Sequence, residues 1–255
     1  MILEDFDECK KSTFDPYEVE NIVPKFPKIG ITCFSKKLMD RYVEIFNGEK
    51  ISEISNANGR VPVYKIKYKN TEVAIFMSRV GASACCVSYE EVLAMGLEKL
   101  IMFGTCGVLD KNIEDLAIII PTSAIRDEGT SYHYMKASNE IKVNEKYIDD
   151  FKQILKSNNI SSINGKVWTT DAPYRETRDK VLKRKEQGCI CVDMECSAIA
   201  ALMKFRDREV FQFFYAADNL DSQKWDMRSL GCADKVPEKA LIGLLAFEMA
   251  TRMEK

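Results

Sequence analysis

Short apolar runs alternate along the chain with stretches whose apolar positions recur at helical spacing, the pattern of an α/β fold. Lys28–Phe34 reads as a strand and Lys36–Phe46 as a helix with Leu38, Tyr42, Val43 and Phe46 on one face. Val61–Tyr68 and Thr71–Ser78 read as paired strands turning at Lys69-Asn70, followed by a helix over Gly81–Met95. Leu100–Phe103 and Leu116–Pro121 have the continuous apolarity of buried strands, and Tyr147–Lys156 is a further helix. Lys166–Thr169 and Cys189–Val192 are short strands around a charged helix at Arg178–Glu186. Val210–Ala217 is a long apolar strand, and Lys235–Met253 is a closing helix. No Pro/Gly/Ser-rich linker, repeat or low-complexity tract interrupts the alternation, so residues 1–255 are expected to form a single domain.

Composition narrows the partners. With 255 residues and 46% hydrophobic content, the chain can bury a full core. A net charge of −2 without a long Lys/Arg block argues against nucleic acid as a ligand. No run approaches the ~20 apolar residues that span a bilayer, and Met1–Phe14 lacks the pattern of a signal peptide, so the protein is expected in the cytoplasm and off the membrane. Nine cysteines form an odd set without CxxC pairs, which reads as reduced thiols with neither disulfides nor a metal site.

Three strand ends carry polar groups. In Val192-Asp193-Met194-Glu195-Cys196-Ser197-Ala198, an apolar strand delivers two carboxylates into a small-residue helix. A carboxylate there sits at the carboxyl end of a sheet, where it can accept from the two hydroxyls of a sugar diol, although capping of the helix by Asp193 is the plainer use. In Ile101-Met102-Phe103-Gly104-Thr105-Cys106-Gly107, a strand runs into a glycine turn whose backbone N–H groups and hydroxyl can cradle an anion. The third, Phe213-Phe214-Tyr215-Ala216-Ala217-Asp218, ends in an acid that partial burial would suit to proton donation.

Together these segments resemble the nucleoside phosphorylase family, which includes the hexameric purine nucleoside phosphorylases, uridine phosphorylases and hydrolytic nucleosidases. Val192–Leu202 resembles its ribose segment and Gly104-Thr105-Cys106-Gly107 its phosphate loop; Asp218 matches the base-protonating aspartate of purine-specific members. Arg126–Tyr132 is similar to a loop of several members, and Thr170–Tyr174 to the segment that supplies an aromatic to the base pocket. The resemblance implies a three-layer α/β/α fold around a mixed, partly barrel-like sheet, and a homo-oligomer, dimer or hexamer. It implies release of a base from a purine nucleoside by orthophosphate, without a cofactor. Glu195 and Asp218 would be catalytic, Asp193, Met194 and Glu195 would hold ribose, and Tyr174, Tyr132 and Arg228 would serve the base. Gly104 and Thr105 would hold phosphate.

Two cations of the family pattern are absent. Thr32–Met39 lacks the glycine, aspartate and arginine usual after the first strand, and Met102 stands where an arginine precedes the phosphate loop. Arg79, Arg60, Lys36 and Lys37 are the candidate replacements. The lone histidine, His133, lies between two aromatics and is expected to be structural. A hydrolase, in which water replaces phosphate, a uridine phosphorylase and a nucleoside-binding protein without turnover are the alternatives.

Overall fold

In a computed structural model, which describes residues 2–19, 22–57 and 59–254, a ten-stranded mixed sheet organises the molecule. In chain order the elements are α1 (Pro16–Val19), β1 (Ile29–Cys33), α2 (Lys36–Ile45), β2 (Glu49–Asn56), β3 (Gly59–Tyr68), β4 (Thr71–Met77), α3 (Ala82–Met95) and β5 (Lys99–Val108). Next come β6 (Ile118–Asp127), β7 (Glu140–Lys142), α4 (Ile148–Ser157), β8 (Ser162–Thr170), α5 (Arg178–Glu186), β9 (Cys189–Asp193), α6 (Cys196–Phe205), β10 (Glu209–Asn219) and α7 (Val236–Met253).

The strands run β10-β6-β8-β9-β5-β1-β4-β3-β2, and β10 also pairs with β5, so five strands close into a ring, four extend from it, and β7 pairs with β6 off this path. Parallel pairing of β5 with β10 and antiparallel pairing of β5 with β9 make the closed part mixed. Buried side chains fall into two large clusters on opposite faces. Tyr89, Leu93, Ile199 and Leu202 from α3 and α6 belong to one, and Leu38, Tyr42, Phe151 and Phe247 from α2, α4 and α7 to the other. Three layers result, because each sheet face is apolar and must be covered by an apolar helix face.

Two segments differ from the sequence expectation. Glu49–Asn56 is a strand although six of its eight residues are polar; it is an outer edge of the sheet, paired on one side only, and of its residues Ile54 alone is buried. Gly104–Gly107 is not a turn. It continues β5, which β10 pairs along its whole length. The glycines serve close packing instead: a Cβ on Gly104 would lie 2.9 Å from Phe34 Cδ2, and one on Gly107 would lie 2.4 Å from Leu220 Cδ1 and 3.2 Å from Asp218 Oδ1. Cys33, Cys85, Cys86, Cys106, Cys189, Cys191 and Cys196 are buried, and Cys9 is exposed. Among the described residues no helix is long and apolar enough to cross a membrane.

Candidate active site

Strands β9, β5 and β10 are neighbours in the closed ring, and their carboxyl-side ends open on one cavity of about 720 Å³. Glu195 and Met194 reach it from the end of β9, Thr105 from β5 and Asp218 from β10. The opening follows from register: β1 pairs with β5 only as far as Met102 and β9 takes up that edge only at Gly107, so the stretch of β5 between them is left unpaired on that edge, and Thr105 and Cys106 line the cavity.

Asp193 is buried and fully engaged. Its carboxylate accepts from Thr169 Oγ1 at 2.7 Å and from the backbone N–H groups of Glu195 and Cys196 at 2.9 and 2.7 Å. This caps α6 and fixes the bend that turns Glu195 inward, so the capping use of Asp193 is the one the geometry displays. Glu195 is also buried, and its Oε1 accepts from the Gly81 N–H at 2.6 Å. Burial, reinforced by the charge of Asp193, pushes the Glu195 carboxyl up to about 8. Of the pair, Asp193 with its three donors is the stronger acid and Glu195 keeps the proton. Beneath them, buried Glu128 accepts from Ser197 Oγ at 2.8 Å and from the Ser131 N–H at 2.9 Å, tying the Arg126–Tyr132 segment to the start of α6.

Asp218 is raised by burial, against the opposing influence of a hydrogen bond from Trp225 Nε1 at 2.8 Å and of the Arg228 charge. A second carboxyl, Glu176, lines the same cavity and is raised to about 7 by burial and then by the charge of Asp218. Tyr174 also lines the cavity and is 100% exposed, a flat ring at the rim.

Other expected residues lie elsewhere. The Tyr132 ring stacks under the Arg126 guanidinium, 4.2 Å away, and its hydroxyl donates to the Arg126 carbonyl at 3.0 Å, so it does not border the cavity. Arg228 donates to the Ile113 and Lys111 carbonyls, at 2.8 and 3.4 Å, rather than into the cavity. Arg79 donates to the Gly59 carbonyl at 2.8 Å; Arg60 pairs with Glu53 at 2.7 Å and Lys36 with Asp40 at 2.5 Å, while Lys37 is exposed. Gly104 is covered by Phe34, which itself lines the cavity. His133 borders a separate recess of about 590 Å³ with Gly81, Val87 and Asp171. Arg178 is the one basic side chain among the described residues lining the main cavity, and it is held by the Leu220 and Ser222 carbonyls at 3.3 and 2.9 Å.

A sequence model of the phosphorylase superfamily matches residues 28–239, a span that includes every one of these strand ends. The chain belongs to that superfamily. It is 22% identical over 189 residues to a guanosine phosphorylase of Halorubrum lacusprofundi, covering 74% of this chain and 78% of that one. Its fold is that of a Toxoplasma gondii purine nucleoside phosphorylase solved with immucillin-H, with a TM-score of 0.75 at 15% identity over 89% of this chain and 92% of that one. A Vibrio fischeri uridine phosphorylase aligns with a TM-score of 0.73 at 20% identity over 89% and 91% of the two chains.

Within this superfamily chain, Glu176, Phe34 and Trp225 are cavity residues that sequence reasoning did not single out. Glu176 follows the Thr170–Tyr174 segment by two residues and could have been found as the next acid along it. Phe34 lies in Thr32–Met39, the stretch where the resemblance implied glycine, aspartate and arginine that this chain lacks. Trp225 gives none, because nothing local marks an indole as facing a carboxylate seven residues earlier.

Proposed function

We propose that the chain cleaves the N-glycosidic bond of a purine nucleoside with orthophosphate, giving free base and pentose 1-phosphate. The supporting observation is the convergence of Glu195, Thr105 and Asp218 from three neighbouring strands on one cavity. As the base departs, positive charge grows on the pentose and negative charge on the base. Glu195 binds the two ribose hydroxyls, whose donors replace the solvation that burial removes and favour its ionised form beside the developing cation. Met194 packs on the sugar. Asp218 supplies a proton or hydrogen bond to the leaving base, and Glu176 helps, because two close carboxyls favour keeping one proton between them. Tyr174 covers the base. Thr105 contacts the phosphate, which attacks the anomeric carbon with no cofactor.

Hydrolysis is the second reading, and one observation favours it. Phe34 covers Gly104, and Arg79, Arg60 and Lys36 are engaged away from Thr105, so an acceptor without charge fits that end of the cavity. The proposed assembly is a homo-oligomer in which exposed Val80 and Val87 enter the contact; sedimentation velocity of the 29.1-kDa chain tests it, and a monomer at micromolar concentration would count against it.

Base specificity is tested by offering inosine, guanosine, adenosine and uridine in phosphate buffer. Purine nucleosides should release base fastest, and Asp218→Asn should slow that release about a hundredfold, the usual scale for general acid catalysis. Preferential cleavage of uridine, or an unaffected Asp218→Asn variant, would contradict the reading.

A further inference from the structure

The cavity wall at the Asp218 end is a loop that strand pairing closes: Asn219 and Asp226 exchange backbone hydrogen bonds at 2.8 and 3.2 Å, leaving residues 220–225 as a short excursion. Its base is anchored. Arg178 holds two of its carbonyls, Asp221 pairs with Lys185, and the Lys111 N–H donates to Asp221 at 3.1 Å. On this loop Trp225 stands 60% exposed among polar neighbours, so burial does not explain an indole there. What it does is donate from Nε1 to Asp218 Oδ2 at 2.8 Å, with good hydrogen-bond length, while bordering the cavity.

Arg228 acts on Asp218 through its charge, since its guanidinium donates to the Ile113 and Lys111 carbonyls and pairs with Asp226 at 3.5 Å. In direct contact the Asp218 carboxylate meets the Cβ-free surface of Gly107 and, at one oxygen, the Trp225 indole. The geometry points to Trp225 as the positioning residue of Asp218: by holding Oδ2, the indole orients the carboxyl so that Oδ1 is presented to the base. This inference rests on the proposed role of Asp218. It also gives the pair a chemical setting, because an N–H donor favours the ionised carboxylate and counteracts the burial that raises it.

The test compares Trp225→Phe and Asp218→Asn on the best purine nucleoside, through kcat and KM and through the pH profile of kcat/KM. Phenylalanine keeps a smaller aromatic ring in the wall and removes the N–H, at a site exposed enough to leave the fold intact. The expected result is a kcat about tenfold lower with KM changed less, and a limb of the pH profile, the one that Asp218→Asn abolishes, moved to higher pH. A merely structural wall would leave that limb where it was. If Asp218→Asn is inactive while Trp225→Phe keeps the wild-type limb and kcat, the positioning role is overturned and the role of Asp218 stands. If Asp218→Asn keeps full activity, both fall.

Discussion

The sharpest contrast between neighbouring residues is that of Asp193 and Glu195, two buried carboxyls two positions apart with opposite uses. Asp193 has three donors within 2.9 Å and is part of the scaffold, whereas Glu195 has the Gly81 N–H and an open cavity. The folded protein holds a proton on Glu195 up to about pH 8 that the unfolded chain releases near the ordinary glutamate value. Folding therefore binds a proton in that window, and the associated stability is present at low pH and lost as pH rises through about 8. Glu195→Gln, which cannot ionise, should be close to wild type near pH 5 and more stable by about 5 kcal/mol at pH 9, checked by thermal unfolding across pH. Parallel curves for the two proteins would show that Glu195 does not titrate in this window. In activity the same variant should fail, because a neutral amide offers no charge to the oxocarbenium ion.

Among the elements, β5 joins the sheet to the site. Gly107 lies under both Leu220 and Asp218, so Gly107→Ala should push the Asp218 loop outward, lowering kcat/KM more than about tenfold while costing only ~1–3 kcal/mol of stability. Gly243→Ala is the control on α7: its Cβ would fall 1.9 Å from Tyr42 Oη and 2.7 Å from Phe103 Cζ in the opposite core layer, so it should unfold the protein at lower temperature without a specific effect on turnover. Equal effects of the two substitutions on activity would remove the special role of Gly107. The same strand shows what the sequence made legible. Apolar periodicity located most elements, including β1, β4, α3, β10 and α7, because each buries a continuous or one-sided apolar face. The Gly-Thr-Cys-Gly stretch read as a turn because glycine signals both a turn and close packing, and only the positions of Phe34 and Leu220 distinguish them. Glu195 and Asp218 were legible as acids ending apolar strands. Arg79, Arg60, Arg228 and Tyr132 were assigned by chain position, but each has another partner: Arg79 and Arg228 hold carbonyls across the fold, Arg60 pairs with Glu53 on the adjacent strand and Tyr132 lies under Arg126 of its own segment.

At the level of the whole molecule, closure of β10 onto β5 makes the site. Without that pairing, β10 would be an edge strand three positions from β9; with it, β9, β5 and β10 bring Glu195, Thr105 and Asp218 to one cavity. The chain belongs to the phosphorylase superfamily, and its resemblance to the family is weakest in Thr32–Met39 and at Met102, the segments that border Gly104 and Thr105. The central claim is that Thr105 at this altered end still receives orthophosphate. It is tested most directly by following base release from inosine or guanosine as phosphate is raised from zero, with the sugar product identified in each case. Phosphorolysis predicts release that rises to saturation with phosphate and yields pentose 1-phosphate. Release at the same rate without phosphate, yielding free pentose, would contradict it and establish water as the acceptor.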